Sequence, residues 1–184
     1  MAASNIYLQL ITATGPVVGE GLLEGFEGSI ELKKFGWSLE AKIDALPLGS
    51  LASRFTPGAA LKALGVGSTI AMETGLITFE KRFDVASSQI HFCIDNKLKV
   101  VSASITVLHI KQKGRAIHEP GFVLTATDGY FQDATIKAGA DGDMTEVNET
   151  VKLKARYFTM TYLKRAGKDN VPTAPFIWDA GTGS

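Results

Sequence analysis

Among the residues able to do chemistry, three histidines come first: His91, His109 and His118. None of them is spaced i,i+4 with another, the pairing that puts two imidazoles on one helix face around zinc. His91 falls in a helical pattern and His109 in a strand pattern, so hydrogen-bonded structural histidines are the better reading. Cys93 is the chain's single cysteine. It has no partner for an internal disulfide and belongs to no thiolate-rich metal site. On the apolar side of a helix it reads as a small core residue rather than a nucleophile. No G-x-S-x-G turn is present to hold a serine nucleophile. Gly65-Val66-Gly67-Ser68-Thr69 lacks the lysine of a phosphate loop and leads into a β-like run rather than a helix. Asp141-Gly142-Asp143 with Glu146 has its glycine misplaced for a calcium loop and fits a solvated hairpin turn. Asn148-Glu149-Thr150 matches a glycosylation sequon only by chance, because nothing in the sequence directs it into a secretory lumen. Lys152, Lys154 and Arg156 share one face of a strand whose other face carries Val151, Leu153, Ala155 and Tyr157. That face is either a solvated sheet surface or a basic lining that meets cargo or a neighbouring subunit. The expectation is of no catalytic residue, no cofactor and no metal.

The elements that must carry these residues have mostly a period of two. Ile6, Leu8 and Leu10 alternate with Tyr7 and Gln9. From Ser29 to Glu40, Ile30 and Leu32 lie on one side. After Lys33-Lys34 the parity flips to Phe35, Trp37 and Leu39, the signature of a β-bulge or a crossing between sheets. Further strands are expected over Gly75–Phe83, Lys99–Gln112, Phe122–Ala138 and Val147–Lys164, punctuated by Gly114, Pro120-Gly121, Asp128-Gly129 and Asp141-Gly142. Asp128-Gly129 is either a tight turn or a glycine bend in one curved strand. One helix interrupts them. Asp84 is a good N-cap, and Ala86, Ile90 and Cys93/Ile94 recur at helical spacing until Asn96. Asp84 is expected to cap and not to carry acid–base chemistry, so that asparagine would replace it silently. Residues 166–184 read as a loop-like tail, whose Phe176, Ile177 and Trp178 suggest docking.

The 184 residues are 45% apolar and 21% charged, enough for one domain with a real core. Nineteen basic and nineteen acidic side chains leave no net charge. Nucleic acid is therefore not an expected partner, since such binding rests on a basic excess. The near-neutral surface also permits self-association. No run approaches the roughly 20 apolar residues of a membrane helix, and the first ten residues lack the basic start of a signal peptide. Synthesis in the cytoplasm follows, with any exit by a route that reads no cleaved leader. Segment 41–69 is long for a connection inside a compact domain. It carries Leu46, Leu48, Leu51, Phe55, Leu61 and Leu64, more large apolar groups than a linker holds. It is either a lid over its own core or an arm toward another chain.

The order of these motifs resembles that of the haemolysin-coregulated protein (Hcp) family of bacterial type VI secretion systems. The likeness runs from Ile6-Tyr7-Leu8 through Gly19/Gly21 and Ile30–Leu39, centred on Phe35-Gly36-Trp37. It continues through Gly75–Lys81 into Asp84-Val85-Ala86-Ser87, where the family has a lysine, an aspartate and Ala-Ser leading into its helix. Ser102–Ile110, Phe122–Thr127, Val147–Tyr162 and Trp178 follow in order. Ser88 stands where the family commonly has proline, and 41–69 is more apolar than the corresponding family segment. The resemblance implies an all-β fold, a two-sheet β-barrel with one lateral α-helix and an extended arm, as a single domain over 1–184. It also implies homohexameric rings stacked into a hollow tube, driven by a contractile sheath and tipped by a spike, with effector proteins in the lumen. Sheath, baseplate and spike proteins would be the partners. The protein would sit in the bacterial cytoplasm during assembly and then be secreted or delivered to a target cell. Leu46, Leu48, Leu51, Phe55, Leu61 and Leu64 would form the subunit interface. Two other readings remain: the tube protein of a related phage-tail-like particle, and a monomeric β-barrel carrier of small ligands.

Overall fold

A computed structural model of the chain describes residues 5–38, 41–43, 70–72, 75–113, 115–141, 144–166 and 169–179. In chain order these form β1 (Ile6–Thr12), β2 (Gly15–Val17), β3 (Ile30–Ser38), β4 (Ala41–Ile43), β5 (Ile70–Met72) and β6 (Leu76–Arg82). After them come α1 (Val85–Asp95), β7 (Lys99–Lys113), β8 (Arg115–Asp141), β9 (Met144–Ala166), β10 (Asp169–Pro172) and β11 (Phe176–Asp179). Strands β9, β6, β3, β1, β7 and β8 are neighbours in that order, and pairing of β8 with β9 closes the circle into an antiparallel barrel. Closure gives the inner strands partners on both sides and removes most of the free edge. Strands β2, β10 and β11 flank the barrel, while β4 and β5 form a separate two-stranded ribbon. The fold is all-β and barrel-like with a single lateral helix among the described residues, as the sequence implies.

Alternation produces the core. Leu8 and Leu10 of β1, Ile77 and Phe79 of β6, and Val151 and Leu153 of β9 all turn inward and are buried. In β3 the inward residues are Ile30 and Leu32. The register with β6 then shifts between Leu32 and Lys34, and Phe35 and Trp37 pack against the core instead. The parity flip is thus a bulge. Tyr7, on the other face of β1, is buried too, under the ring of Phe26 at 4.9 Å between centroids. That burial, with the Glu31 carboxylate nearby, raises the phenol above its ordinary pKa. Phe26 reaches it because residues 19–29 run close to the barrel: a Cβ on Gly19 or Gly21 would meet the Ser29 carbonyl oxygen at 2.5 or 2.7 Å.

Of the two readings of Asp128-Gly129, the bend in one strand holds. Strand β8 runs 27 residues without interruption, and Gly129 pairs with Val100 on one side and Ala155 on the other. Asp128 takes a left-handed φ of 58°, and its carboxylate receives Lys99 Nζ at 2.7 Å. The hydrogen bond and charge of that carboxylate raise the Lys99 pKa. Opposite the bend, β9 changes parity: Ala155 is buried, Tyr157 only partly, and Phe158 takes the interior place expected of Tyr157. Pro120-Gly121 marks no turn. Pro120 pairs with Leu108 within the ladder, next to a register shift at Val107/Leu108. An irregularity of this kind is where a strand accepts a residue without an N–H. Nor is the tail loop-like throughout, because β10 and β11 both pair with β9. Trp178 is buried against Phe158, at 5.5 Å between ring centroids, so the tail docks on its own barrel.

Candidate functional site

The helix begins at Asp84, whose extended backbone (φ −141°) frees its side chain to accept from the Ala86 N–H at 3.0 Å. Ser87 returns the favour, its Oγ accepting from the Asp84 N–H at 3.1 Å, which completes a capping box. Asn96 ends the helix, its Nδ2 donating to the Phe92 carbonyl at 2.9 Å. Between the caps, Ala86, Ser87, Ile90 and Cys93 form the buried face. Cys93 is a core residue, 2% exposed.

The cap opens onto a cluster of buried charge. Lys81 of β6 and Glu149 of β9 are register partners, and both are fully buried. Lys81 Nζ donates to Asp84 Oδ1 at 2.5 Å, Ser87 Oγ at 2.7 Å and the Arg82 carbonyl at 2.8 Å, with Glu149 Oε2 at 3.3 Å. Ser87 in turn donates to Glu149 Oε2 at 2.9 Å. Glu149 Oε1 lies 2.5 Å from Nε2 of His91, one turn further along the helix. A serine beside a lysine is one arrangement of an activated nucleophile. Here the ammonium's three N–H groups have three acceptors, the hydroxyl proton is directed to Glu149, and Ser87 is fully buried. A substrate carbonyl has no approach to that oxygen. What the cluster does is bind α1 to β6 and β9 in one orientation, since Lys81 Nζ, Asp84 Oδ1, Ser87 Oγ and Glu149 Oε2 hold one another through bonds that another register would remove, while Glu149 Oε1 and His91 Nε2 face each other without a hydrogen bond.

The remaining residues of interest fall elsewhere. Lys152 is partly exposed and Lys154 and Arg156 exposed; Lys152 pairs with Asp133 at 3.4 Å, and Arg156 with Asp179 at 3.2 Å. Glu146 bridges Lys33 and Arg82, and the Lys33 hydrogen bond, with the charge of Arg82, holds its carboxyl below the usual range. His109 is exposed and His118 partly buried, and among the described residues no three His, Cys, Asp or Glu side chains converge as metal ligands. Leu46, Leu48, Leu51, Phe55, Leu61 and Leu64, with the 65–69 glycine segment, lie outside the described residues. The Lys81–Glu149 pair escapes a sequence reading because 68 positions separate the two. The available signal is parity: each charge occupies an inward position, Lys81 after Ile77 and Phe79, Glu149 before Val151 and Leu153.

The two ends of the barrel differ in kind. One carries α1 and the ion cluster. The other carries rings: Phe35 stacks on Phe122 at 6.2 Å, and Trp37 lies 5.7 Å from Phe158 and 6.5 Å from Phe176.

A closed antiparallel barrel of this order with one lateral helix defines a recognisable class of fold. No family model matches the sequence, nor does any curated protein. Among solved structures, the chain is similar over nearly its whole length to Hcp proteins. A structure titled as a type six secretion system protein aligns with a TM-score of 0.67 at 16% identity, covering 99% of both chains. Hcp1 from Salmonella typhimurium gives 0.62 at 16% identity, over 97% of this chain and 95% of that one. A double mutant of Hcp1 from the E. coli EAEC 042 pathovar gives 0.61 at 18% identity, over 94% and 99%. The fold of this chain is therefore the Hcp fold of type VI secretion systems.

Proposed function

We propose that the protein is a tube subunit of a type VI secretion system. Six copies close into a ring, rings stack into a hollow tube, and a contractile sheath drives the tube, spike first, toward a target cell. Effector proteins travel in the lumen, and sheath, baseplate and spike proteins are the working partners. The observation that carries this reading is the match of one continuous barrel-and-helix domain to solved Hcp structures over 94–99% of the chain. The zero net charge and the apolar 41–69 segment suit a subunit that associates with itself. No catalysis is part of this role, in which force comes from the sheath. The subunit assembles in the bacterial cytoplasm and is carried out of the cell by the machine itself. Among the described residues no helix is long and apolar enough to cross a membrane.

A small-ligand carrier would need an open interior. Ile30, Ile77, Ala86, Leu124 and Val151 instead fill the barrel at 0% exposure. Native mass spectrometry at micromolar concentration tests the proposal: a six-copy mass is expected, with rings in negative-stain micrographs. Ring contacts of a stable kind bury more than about 2,000 Å², so a purely monomeric mass overturns it.

A further inference from the structure

The buried cluster under α1 is short of one positive charge. Lys81 faces two carboxylates, those of Asp84 and Glu149. Its three N–H groups go to Asp84 Oδ1, Ser87 Oγ and the Arg82 carbonyl, and Ser87 directs its own proton to Glu149 Oε2. Nothing in that set serves Glu149 Oε1. The group facing it is Nε2 of His91, at 2.5 Å. Both atoms are shut off from solvent, and among the described residues no hydrogen bond reaches either. A buried carboxylate oxygen without a donor is costly. The rest of the imidazole is differently placed. Its side chain is 38% exposed, so the ring exchanges protons with water while Nε2 stays inside.

The charges around the ring favour a cation. On α1 itself, Ser87 lies one turn before His91 and Asp95 one turn after, on the same face. From β9 comes Glu149. From β6 comes Lys81, which sits against the other oxygen of Glu149 at 3.3 Å, while the Arg82 side chain turns away to Glu146 at 2.6 Å. The Phe83 ring lies 6.5 Å from the imidazole. On β8, Ile136 stands opposite Glu149; its neighbour Lys137 stands opposite Asn148 and so falls on the other face of the sheet. Strand β2, which also touches the helix, is Gly15-Pro16-Val17 and carries no charge.

We propose that His91 is a proton-operated latch: as an imidazolium it is the second cation of the buried cluster and clamps α1 to β9, and on losing that proton it loosens the helix. Lys81 and His91 then balance Asp84 and Glu149. A neutral ring can still donate from Nε2, but it brings no charge to a carboxylate that water does not reach. Histidine changes charge between about pH 5 and 8, so the clamp is complete on the acid side and is lost as pH rises. The device lies within one chain and does not depend on the tube-subunit reading.

Hydrogen exchange of the intact chain tests it. Protection of the α1 amides is taken relative to the β1–β7 ladder, after correction for intrinsic rates, so that global effects of pH cancel. From about pH 5.5 to about pH 8.5, this ratio should fall about tenfold, the size of one charge-assisted hydrogen bond. The imidazole ¹⁵N signals of His91 should change over the same interval. His91→Gln keeps a donor but cannot titrate, and its ratio should stay near the wild-type alkaline value throughout. His109→Gln, at an exposed strand position, should behave as the wild type does. A flat wild-type ratio, a fall that persists in His91→Gln, or one that vanishes in His109→Gln overturns the inference. So does a His91→Gln ratio that holds the wild-type acid value, because the charge is then unnecessary. If His91→Gln does not fold, the ¹⁵N signals decide: a His91 transition at a different pH from the loss of protection also overturns it.

Discussion

The two ends of the barrel solve one problem, covering an open core, with opposite chemistry. At the ring end, Trp37, Phe158, Phe176 and Trp178 lie 5.5 to 6.5 Å apart, edge against face or tilted. Such contacts bury much area and tolerate small rotations. At the helix end, Lys81, Asp84, Ser87 and Glu149 meet through charge-assisted bonds that each demand one partner. Desolvating those charges offsets much of their attraction, so well-packed apolar side chains can match their stability. The difference lies in what an error costs. A shifted ring still packs, whereas a shifted helix strands a buried charge. The ring end supplies area and the ion cluster supplies alignment.

The hardest blow to this comparison is Lys81→Met. It leaves the Glu149 carboxylate without its buried cation, and a loss of about 3–5 kcal/mol is expected in denaturant unfolding. Adding Glu149→Leu should recover most of that, with α1 less firmly held by hydrogen exchange; a double variant no better than the single one would show that the pair supplies stability itself. At the other end, Phe158→Ala should cost about 3 kcal/mol, the low side for a buried ring because its aromatic neighbours can close in. A loss of helix protection equal to that of Lys81→Met would erase the distinction between the ends.

Asp84 comes next, since its carboxylate both caps the helix and pairs with Lys81. Removing a cap costs about 0.5–2 kcal/mol, and asparagine keeps the cap but not the charge. Asp84→Asn should therefore lose about 1 kcal/mol and Asp84→Ala more. Asparagine as stable as the wild type would show the charge to be idle. The smallest effect belongs to the exposed bridge at Glu146. Its carboxyl is held below the usual range by the Lys33 hydrogen bond, so the stability it adds is present above about pH 4.3 and is lost as pH falls through the lower native value. Glu146→Gln should lower the thermal midpoint slightly at pH 7 and hardly alter it below the native value, where Glu146 is already protonated, so that the acid side of the profile flattens.

The contrast also sorts what the sequence makes legible. Alternation reveals Ile30 and Leu32, then the flip to Phe35 and Trp37, because a period of two is a local property. The helix is legible from Asp84 to Asn96 for the same reason. Its partners are not, since Lys81, Ser87 and Glu149 meet only once β6 lies against β9. The silent replacement of Asp84 by asparagine is a sequence expectation that the nearby Lys81 Nζ argues against. Pro120 and Gly121 read as a turn because punctuation by residue type ignores irregular ladders, and β10 and β11 read as loop because their pairing with β9 is supplied by another part of the chain.

Strand β1 pairs with β7, from Ile6 opposite Val107 to Thr12 opposite Val100. On the ribosome, Thr12 is made some 95 residues before Val107, roughly 5–20 s at ordinary synthesis rates. During that interval one side of β1 has no native neighbour, and an unpaired apolar strand is a template for the wrong chain. The hairpin of β8 and β9, by contrast, is joined at Asp141 and Met144 and can zip as soon as it emerges. Productive folding therefore waits on the middle of the chain, and slowing translation between residues 12 and 107 should send more of the product into aggregates than slowing it after 144.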